Sequence, residues 1–223
     1  SYGIEIGYGQ GKIVDLSYYV RKLLHRKNII DNFYNFYCYY PVIYKGNLQS
    51  VQIPRISVNS KTARILGKIF RPDTSGYTQK YIFFTSVYDF EGGEPIGEYE
   101  LVLKVANLVG KDNLLIKIHP RDLRTIYSDN GFNVDKNSLI PWEAIQLSFS
   151  DKVFLTINSG SVLSGSTMSE KPVKTFYMYK LCNIKENRSC QKNAQDIEAL
   201  LCKSSMKEVF RNVKIAEKIE DIL

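Results

Sequence analysis

The rhythm of hydrophobic and polar positions changes near residue 75. Upstream of that point aromatic residues cluster without regular alternation, and the stretch 32–44, with seven aromatics, is typical of irregular, partly buried packing. Downstream, short continuous apolar runs alternate with segments whose apolar residues recur every three or four positions. The change predicts two parts, an aromatic-rich linker or helical segment over 1–75 and an α/β domain over 76–223.

Continuous apolar runs predict strands covered on both faces, and the wider spacing predicts amphipathic helices. The predicted strands are 81–87, 114–118, 138–140, 153–157 and 174–179. The predicted helices are 13–27, 60–70, 98–109, two that begin at Pro141 and Gly160, then 194–211 and 213–222. Strands that alternate with helices predict a Rossmann-like parallel sheet with helices on both faces.

Parallel α/β sheets bind ligands at the carboxyl ends of their strands, so the residues that follow each predicted strand form the candidate site. These residues are Asp89 and Glu91 after the first strand, His119, Pro120 and Arg121 after the second, Glu143 after the third, and Ser159, Gly160 and Ser161 after the fourth. We expect these side chains to share one edge of the sheet.

The charge balance favours anionic partners. Thirty basic residues against 23 acidic ones give a formal net charge of +7, which suits nucleotides, nucleic acid or an acidic membrane face. The basic residues are spread along the chain without a long run, so nucleic acid is not expected as a partner. No apolar run approaches the roughly 20 residues that span a bilayer, and no signal-peptide pattern opens the chain. A cytoplasmic location is therefore expected.

The predicted helix over 13–27 has two interpretations. Arg21, Lys22, Arg26 and Lys27 flank its apolar stripe. A basic amphipathic helix of this kind either lies on anionic lipid or packs its stripe on a core. The first interpretation predicts peripheral contact with a membrane.

Neither a metal nor a cofactor is predicted. Histidine occurs only at 25 and 119, and the four cysteines, at 38, 182, 190 and 202, contain no C-x-x-C pair, whereas a zinc site needs about four clustered ligands. Cys182 and Cys190 have two interpretations, a disulfide or reduced thiols, and reduced thiols fit a cytosolic protein better.

The phosphate-binding candidates each have a chemical and a structural interpretation. Ser159-Gly160-Ser161 opens a helix, where free N–H groups bind phosphate, although Ser159 equally suits an N-cap. His119 beside a phosphate would donate a hydrogen bond and act as a general acid, whereas a lone histidine is more often structural. Arg121 would clamp the phosphate or carry an ordinary surface charge.

The acidic candidates are also ambiguous. Asp89 would take the proton from an attacking hydroxyl or stabilise a turn. Glu143 would accept hydrogen bonds from ribose hydroxyls or stabilise the first turn of a helix.

Three ordered motifs carry a resemblance to a known family. They are Ile118-His119-Pro120-Arg121, Ile140-Pro141-Trp142-Glu143 and Asn158-Ser159-Gly160-Ser161. The series resembles that of the bacterial lipooligosaccharide sialyltransferases, glycosyltransferase family 52, and the His-Pro pair and the serine motif are also similar to those of bacterial polysialyltransferases. The resemblance covers residues 80–180 well and the first 75 loosely. It implies a GT-B architecture, in which 76–223 is the CMP-sugar-binding half and 1–75 the remainder of an N-terminal acceptor domain.

The resemblance also implies the chemistry. Sialic acid would pass from the donor CMP-sialic acid to a hydroxyl of a lipooligosaccharide or capsular glycan, with inversion and without a metal. His119 would contact the CMP phosphate as general acid, Ser159 and its neighbours would hold that phosphate, Glu143 would hold the ribose, and Asp89 would be the base.

Two departures from the family pattern matter. The interval from Asp89 to His119, 119 − 89 = 30 positions, is longer than expected, so Glu91 and Glu94 are alternative bases. The family's acidic-acidic-glycine motif would precede Ser1, so the chain is expected to be a C-terminal part that binds CMP but transfers sugar poorly on its own. The alternative functions are a polysialyltransferase, another GT-B transferase with a different nucleotide sugar, and a non-catalytic module of a glycan-synthesis complex at the inner membrane.

Overall fold

The computed structural model describes residues 20, 23–25, 34–41, 48–91, 93–137, 140–171 and 173–223, and the chain forms two compact units, 1–55 and 56–223. In the first unit, the parallel strands β1 (Asn35–Cys38) and β2 (Gln49–Gln52) pair along their whole length. The aromatic stretch 32–44 therefore contains a strand where irregular structure was expected. The predicted helix over 13–27 lies almost entirely outside the described residues.

The second unit contains a six-stranded parallel sheet. Its strands are β3 (Tyr81–Phe84), β4 (Leu114–Lys117), β5 (Asn133–Val134), β6 (Val153–Thr156), β7 (Lys174–Tyr177) and β8 (Val213–Ile215). Their order is β5-β4-β3-β6-β7-β8, with every neighbouring pair parallel. This is the order of a doubly wound Rossmann sheet. The predicted α/β class with a parallel sheet is confirmed.

The centre of the sheet is the core of the unit. Every residue of β3, β4 and β6 is buried. Because successive side chains of a strand point to opposite faces, both faces of the central strands must be covered. Phe83, Phe154 and Phe176 are among the largest fully buried side chains, and burial of each contributes roughly 1.5–3 kcal/mol.

Helices connect and flank the strands. They are α1 (Lys61–Phe70), α2 (Glu98–Val109), α3 (Ile126–Asp129), α4 (Trp142–Ile145), α5 (Ser161–Met168) and α6 (Arg188–Leu201). The hydroxyl of Ser60 accepts the N–H of Ala63 at 3.1 Å and starts α1, and Gly110, with φ 87°, ends α2 as predicted. Among the described residues, no helix is both long and apolar enough to cross a bilayer.

Three predicted elements differ from the structure. The strand over 138–140 falls partly outside the described residues, Ile140 is not in a strand, and β5 forms at Asn133–Val134 instead. The helix over 213–222 is wrong, because the start of this segment pairs with β7 as β8 and only Ile219–Ile222 is helical, as a 3-10 turn. The helix over 194–211 is shifted to Arg188–Leu201, since the Asn187 side chain caps its start by accepting the N–H of Cys190 at 3.0 Å.

The boundary between the units falls between residues 55 and 56, not at 75. Ile56 forms a parallel bridge with Ser169, and α1 packs against α4. Residues 56–75 therefore belong with the sheet.

Candidate functional site

The carboxyl edge of the sheet contains the topological switch point. From β3 the chain passes to β4 on one side, and from β6 it passes to β7 on the other, although β3 and β6 are neighbours. Ligands of doubly wound folds bind in the crevice outside such strand ends. Here the ends of β4, β3 and β6 lead into His119, Thr85 and Ser159, respectively.

His119 is half-buried and held through its backbone and its ring. Its N–H donates to the Thr85 hydroxyl at 2.8 Å, and its Nδ1 accepts the N–H of Arg121 at 3.1 Å. Because Nδ1 acts as an acceptor, the neutral ring carries its proton on Nε2. Burial, and then the positive charge of Arg121, lower the pKa of His119. At neutral pH the imidazole is therefore neutral and has one N–H to donate.

The Ser159-Gly160-Ser161 turn is anchored to β6 and β7. The N–H of Ser159 donates to the Thr156 hydroxyl at 2.9 Å, and the Tyr177 hydroxyl donates to the Ser159 carbonyl at 3.2 Å. Helix α5 begins at Ser161; its N-cap residue, Gly160, has no side chain, and the Ser159 hydroxyl accepts the N–H of Ser161 at 3.4 Å. A Cβ added to the exposed Gly160 would meet no atom within 4 Å. The turn therefore presents small residues and the start of a helix to open space.

The His119 loop and the serine turn are linked through β3. Thr85, directly after β3, accepts the N–H of His119, while the Thr156 hydroxyl donates to the carbonyl of Phe84 at 3.1 Å and accepts from Ser159. Because β4 and β6 flank β3, their ends lie two strand spacings apart, about 10 Å. A phosphate outside the end of β3 would have hydrogen-bond donors on both sides within this width.

The loops after β3 and β4 are joined by an ion pair. Arg121 contacts the carboxylate of Glu91 at 2.7 Å, and both side chains are substantially exposed. Pro120 is exposed in the turn that the Asp122 N–H closes by donating to the His119 carbonyl at 2.8 Å. Arg121 is thus near the edge, but its charge is shared with a carboxylate.

Asp89 binds the start of α2. One carboxylate oxygen accepts the N–H groups of Ile96 at 2.8 Å and Gly97 at 3.1 Å, and the other accepts that of Glu98 at 2.9 Å. The side chain satisfies N–H groups that have no partner within the helix. Its predicted role as a base stays a prediction, and its structural role is plain.

Glu94 and Glu143 make few contacts. Neither carboxylate has a hydrogen bond or an ion pair with the residues that the structure describes. Glu143 is half-buried in α4 and lies nine positions after the end of β5, 143 − 134 = 9, so it does not directly follow a strand. Its neighbour Trp142 packs edge-on against Phe84 and Phe154, with ring centroids 4.7 and 5.2 Å apart.

A scan against protein-family models, a search of curated proteins and a search of solved structures each find no match to this chain. What the edge can do therefore follows from its own geometry, and the resemblance to sialyltransferases stays a prediction.

Sequence reasoning missed a buried acid beside the site. Glu98, 1% exposed, accepts the N–H of Ser86 at 2.7 Å and the hydroxyl of Tyr127 at 3.4 Å. Burial, with a smaller contribution from Asp89, raises the pKa of Glu98 to about 7. A glutamate in the first turn of a helix gives no sequence signal of burial, because it is usually exposed there.

The threonines that hold the two motifs were also missed. Thr85 and Thr156 stand at the ends of apolar strands, and a polar residue at a strand end is the weak signal that could have identified them. The four cysteines are free thiols. Across the described ranges, no group of three or more His, Cys, Asp or Glu side chains is arranged to hold a metal ion.

Proposed function

We propose that the carboxyl edge of the sheet binds the phosphate of CMP-sialic acid, and that the chain is the donor-binding half of a GT-B sialyltransferase. The observation that carries the proposal is the linkage of His119 and the serine turn through Thr85 and Thr156 at the switch point. The acceptor would be a hydroxyl of a bacterial lipooligosaccharide or capsular glycan, reached from the cytoplasm.

His119 and the start of α5 would assist the departure of CMP in two ways, by stabilising its negative charge and by protonating it. As the bond between the anomeric carbon and the phosphate oxygen breaks, negative charge grows on CMP, and Nε2–H of His119 and the first turn of α5 stabilise it. The bound phosphate favours the protonated imidazole. Protonation at Nδ1 would release the N–H of Arg121 that this atom accepts, and the imidazolium would then act as the general acid through Nε2–H. The sugar passes through an oxocarbenium-like transition state, and inversion follows from attack on the face opposite CMP.

Three carboxylates are candidates for the base that deprotonates the acceptor. Asp89 is engaged by α2 and Glu91 by Arg121. Glu94 is exposed and its carboxylate has no partner among the described residues. Of the three, Glu94 is therefore the one that could change its protonation without disturbing another contact. Glu143 would hold the ribose and Arg121 the outer face of the phosphate.

The test uses the two histidines of the chain as a matched pair. CMP titration followed by calorimetry is expected to show binding that His119→Ala weakens and His25→Ala leaves unchanged. In a parent protein that transfers sugar, His119→Ala should lower the rate by at least about a hundredfold. CMP affinity that is the same in both variants would contradict the proposal. A donor screen of CMP-sialic acid against UDP-sugars separates a sialyltransferase from another GT-B transferase, and product length separates single transfer from polysialylation.

A second candidate, a non-catalytic module at the inner membrane surface, is favoured by α1. This helix has no buried residue, and its side chains Ile65 and Ile69 are 45% and 65% exposed. Its charged residues are Lys61, Arg64 and Lys68, and it contains no acidic residue. Basic amphipathic helices bind anionic lipid by both features. Flotation with vesicles containing phosphatidylglycerol tests it: Ile65→Ser/Ile69→Ser should abolish binding, and His119→Ala should have no effect on any activity.

A further inference from the structure

A basic cleft lies at the amino edge of the sheet, opposite the edge that holds His119. Its volume is about 540 Å³. Lys80 precedes β3, Lys152 precedes β6, Lys174 opens β7, and Arg211 and Lys214 lie before and within β8, and all five line the cleft. Four neighbouring strands therefore each bring at least one cation to the same cleft.

The cations of the cleft outnumber its acids. Asp151 is the acidic side chain among the lining residues. Arg211 pairs with Glu208 at 3.1 Å, and both side chains are mostly exposed. Lys80, Lys174 and Lys214 form no ion pair with any residue that the structure describes. Lys214 also interacts electrostatically with Asp221, which is not a lining residue. The cleft consequently keeps an excess of positive charge.

Lys152 is the most buried of the lysines that line the cleft. Its side chain is 8% exposed, and the closest carboxylate oxygen, on Asp151, is 3.7 Å from its ammonium nitrogen. That separation exceeds a normal hydrogen bond. The ammonium group therefore forms an ion pair with Asp151 but no hydrogen bond to it. An anion in the cleft would accept the N–H groups that remain.

Aromatic rings position three of the lysines. The ammonium nitrogens of Lys80, Lys152 and Lys174 lie 5.4, 5.7 and 4.9 Å from the ring centroids of Tyr81, Phe149 and Phe176. Cation–π contacts and packing of the aliphatic stems restrict these side chains before any ligand binds. Such preorganisation lowers the entropic cost of binding.

The dimensions of the cleft define the ligand class. The amino ends of β3, β6, β7 and β8 are consecutive neighbours, so they span three strand spacings, about 14 Å. One phosphate cannot contact cations along that length, whereas a short chain of phosphates can. We propose that this amino-edge cleft binds a soluble linear oligophosphate, independently of the donor site at the carboxyl edge.

Calorimetric titration of the full chain with inorganic tripolyphosphate tests the proposal. One tripolyphosphate per chain is expected, with an affinity that falls as salt is added and does not change when CMP is saturating. The variant Lys80→Ala/Lys174→Ala should bind at least about tenfold more weakly, because it removes two cations that form charge-assisted hydrogen bonds with the phosphates. Lys192→Ala/Lys207→Ala removes the same charge from exposed positions elsewhere and should bind normally.

Three results would overturn the proposal. Equal weakening in both double variants would mean that net charge alone attracts the anion. Displacement of tripolyphosphate by CMP would assign the binding to the carboxyl edge. Binding of anionic vesicles or of single-stranded RNA without any binding of tripolyphosphate would assign the cleft to a macromolecular surface. None of these measurements requires sugar transfer. Their results can therefore be interpreted even if the proposed function is wrong.

Discussion

The backbone N–H of His119 donates to the hydroxyl of Thr85, a residue that is 2% exposed. Thr85→Val would keep the side-chain shape and leave that N–H without its partner. We expect the free energy of unfolding to fall by about 1–2 kcal/mol, and CMP to bind more weakly because the His119 loop loses its anchor to β3. Urea denaturation and CMP titration measure the two effects.

Thr85→Ser is the matched control, since it retains the hydroxyl. It should keep the affinity for CMP close to that of the unaltered chain while losing some packing. If valine and serine at position 85 gave the same CMP affinity, the hydroxyl would have no part in holding the site.

The centre of the fold was predictable because burial on both faces produces continuous apolar runs. For that reason the strands β3, β4 and β6 were located within a few residues, and α2 had its predicted bounds. The edge strands β5 and β8 have two and three residues, too few for a period to show. These strands form because they pair with β4 and β7, whose residues are distant from them in the sequence.

The candidate site was predictable in its position and less so in its contacts. The rule for strand ends brought His119 and the serine turn to one edge, 40 positions apart in sequence, 159 − 119 = 40. It could not predict that Asp89 would bind the start of α2 or that Thr85 and Thr156 would connect the motifs. Those contacts depend on loop geometry, which no periodic pattern records.

Gly160 allows the phosphate site to be tested without damage to the fold. A Cβ there would meet no protein atom within 4 Å, and its φ of −68° is ordinary for any residue. Gly160→Ala should therefore fold with unchanged or slightly higher stability, yet its methyl group would occupy the space proposed for the phosphate. We expect CMP affinity to fall about tenfold or more, as measured by calorimetry.

Gly76→Ala is the control for this substitution. Gly76 is exposed, and a methyl group added to it would likewise meet no atom within 4 Å. It lies in the turn before β3, and no hydrogen bond links it to the serine motif among the described residues, so CMP affinity should be unchanged. Normal CMP binding by Gly160→Ala would place the nucleotide elsewhere.

Glu98 should make stability depend on pH in a defined direction. Burial raises its pKa to about 7 in the folded chain, whereas an unfolded glutamate titrates near 4.3. The folded state therefore binds the extra proton between these values, and stability is fully present below about pH 4.3 and is lost as pH rises through about 7. The loss attributable to this group is about 4 kcal/mol.

Glu98→Gln isolates that contribution. The amide oxygen can still accept the N–H of Ser86, but it cannot ionise. Because His119 titrates in an overlapping range, the informative quantity is the difference in unfolding free energy between the variant and the unaltered chain, measured in urea at pH 4.5, 5.5 and 7.5. As pH rises, the variant should become more stable relative to the unaltered chain. A constant difference would mean that the carboxyl group is already ionised at low pH in the folded chain.

Lys117, the last residue of β4, and Asp135, directly after β5, form a buried ion pair, with side chains 9% and 1% exposed. Asp135 also accepts from the Tyr77 hydroxyl and the Asn137 N–H. Lys117→Met would leave the carboxylate buried beside no cation, and we expect a loss of about 3–5 kcal/mol. Lys117→Met/Asp135→Asn removes both charges and keeps an acceptor for Tyr77, so it should be more stable than the single variant. Urea denaturation compares them, and equal stability would attribute the loss to packing of the lysine stem instead of to an unpaired charge.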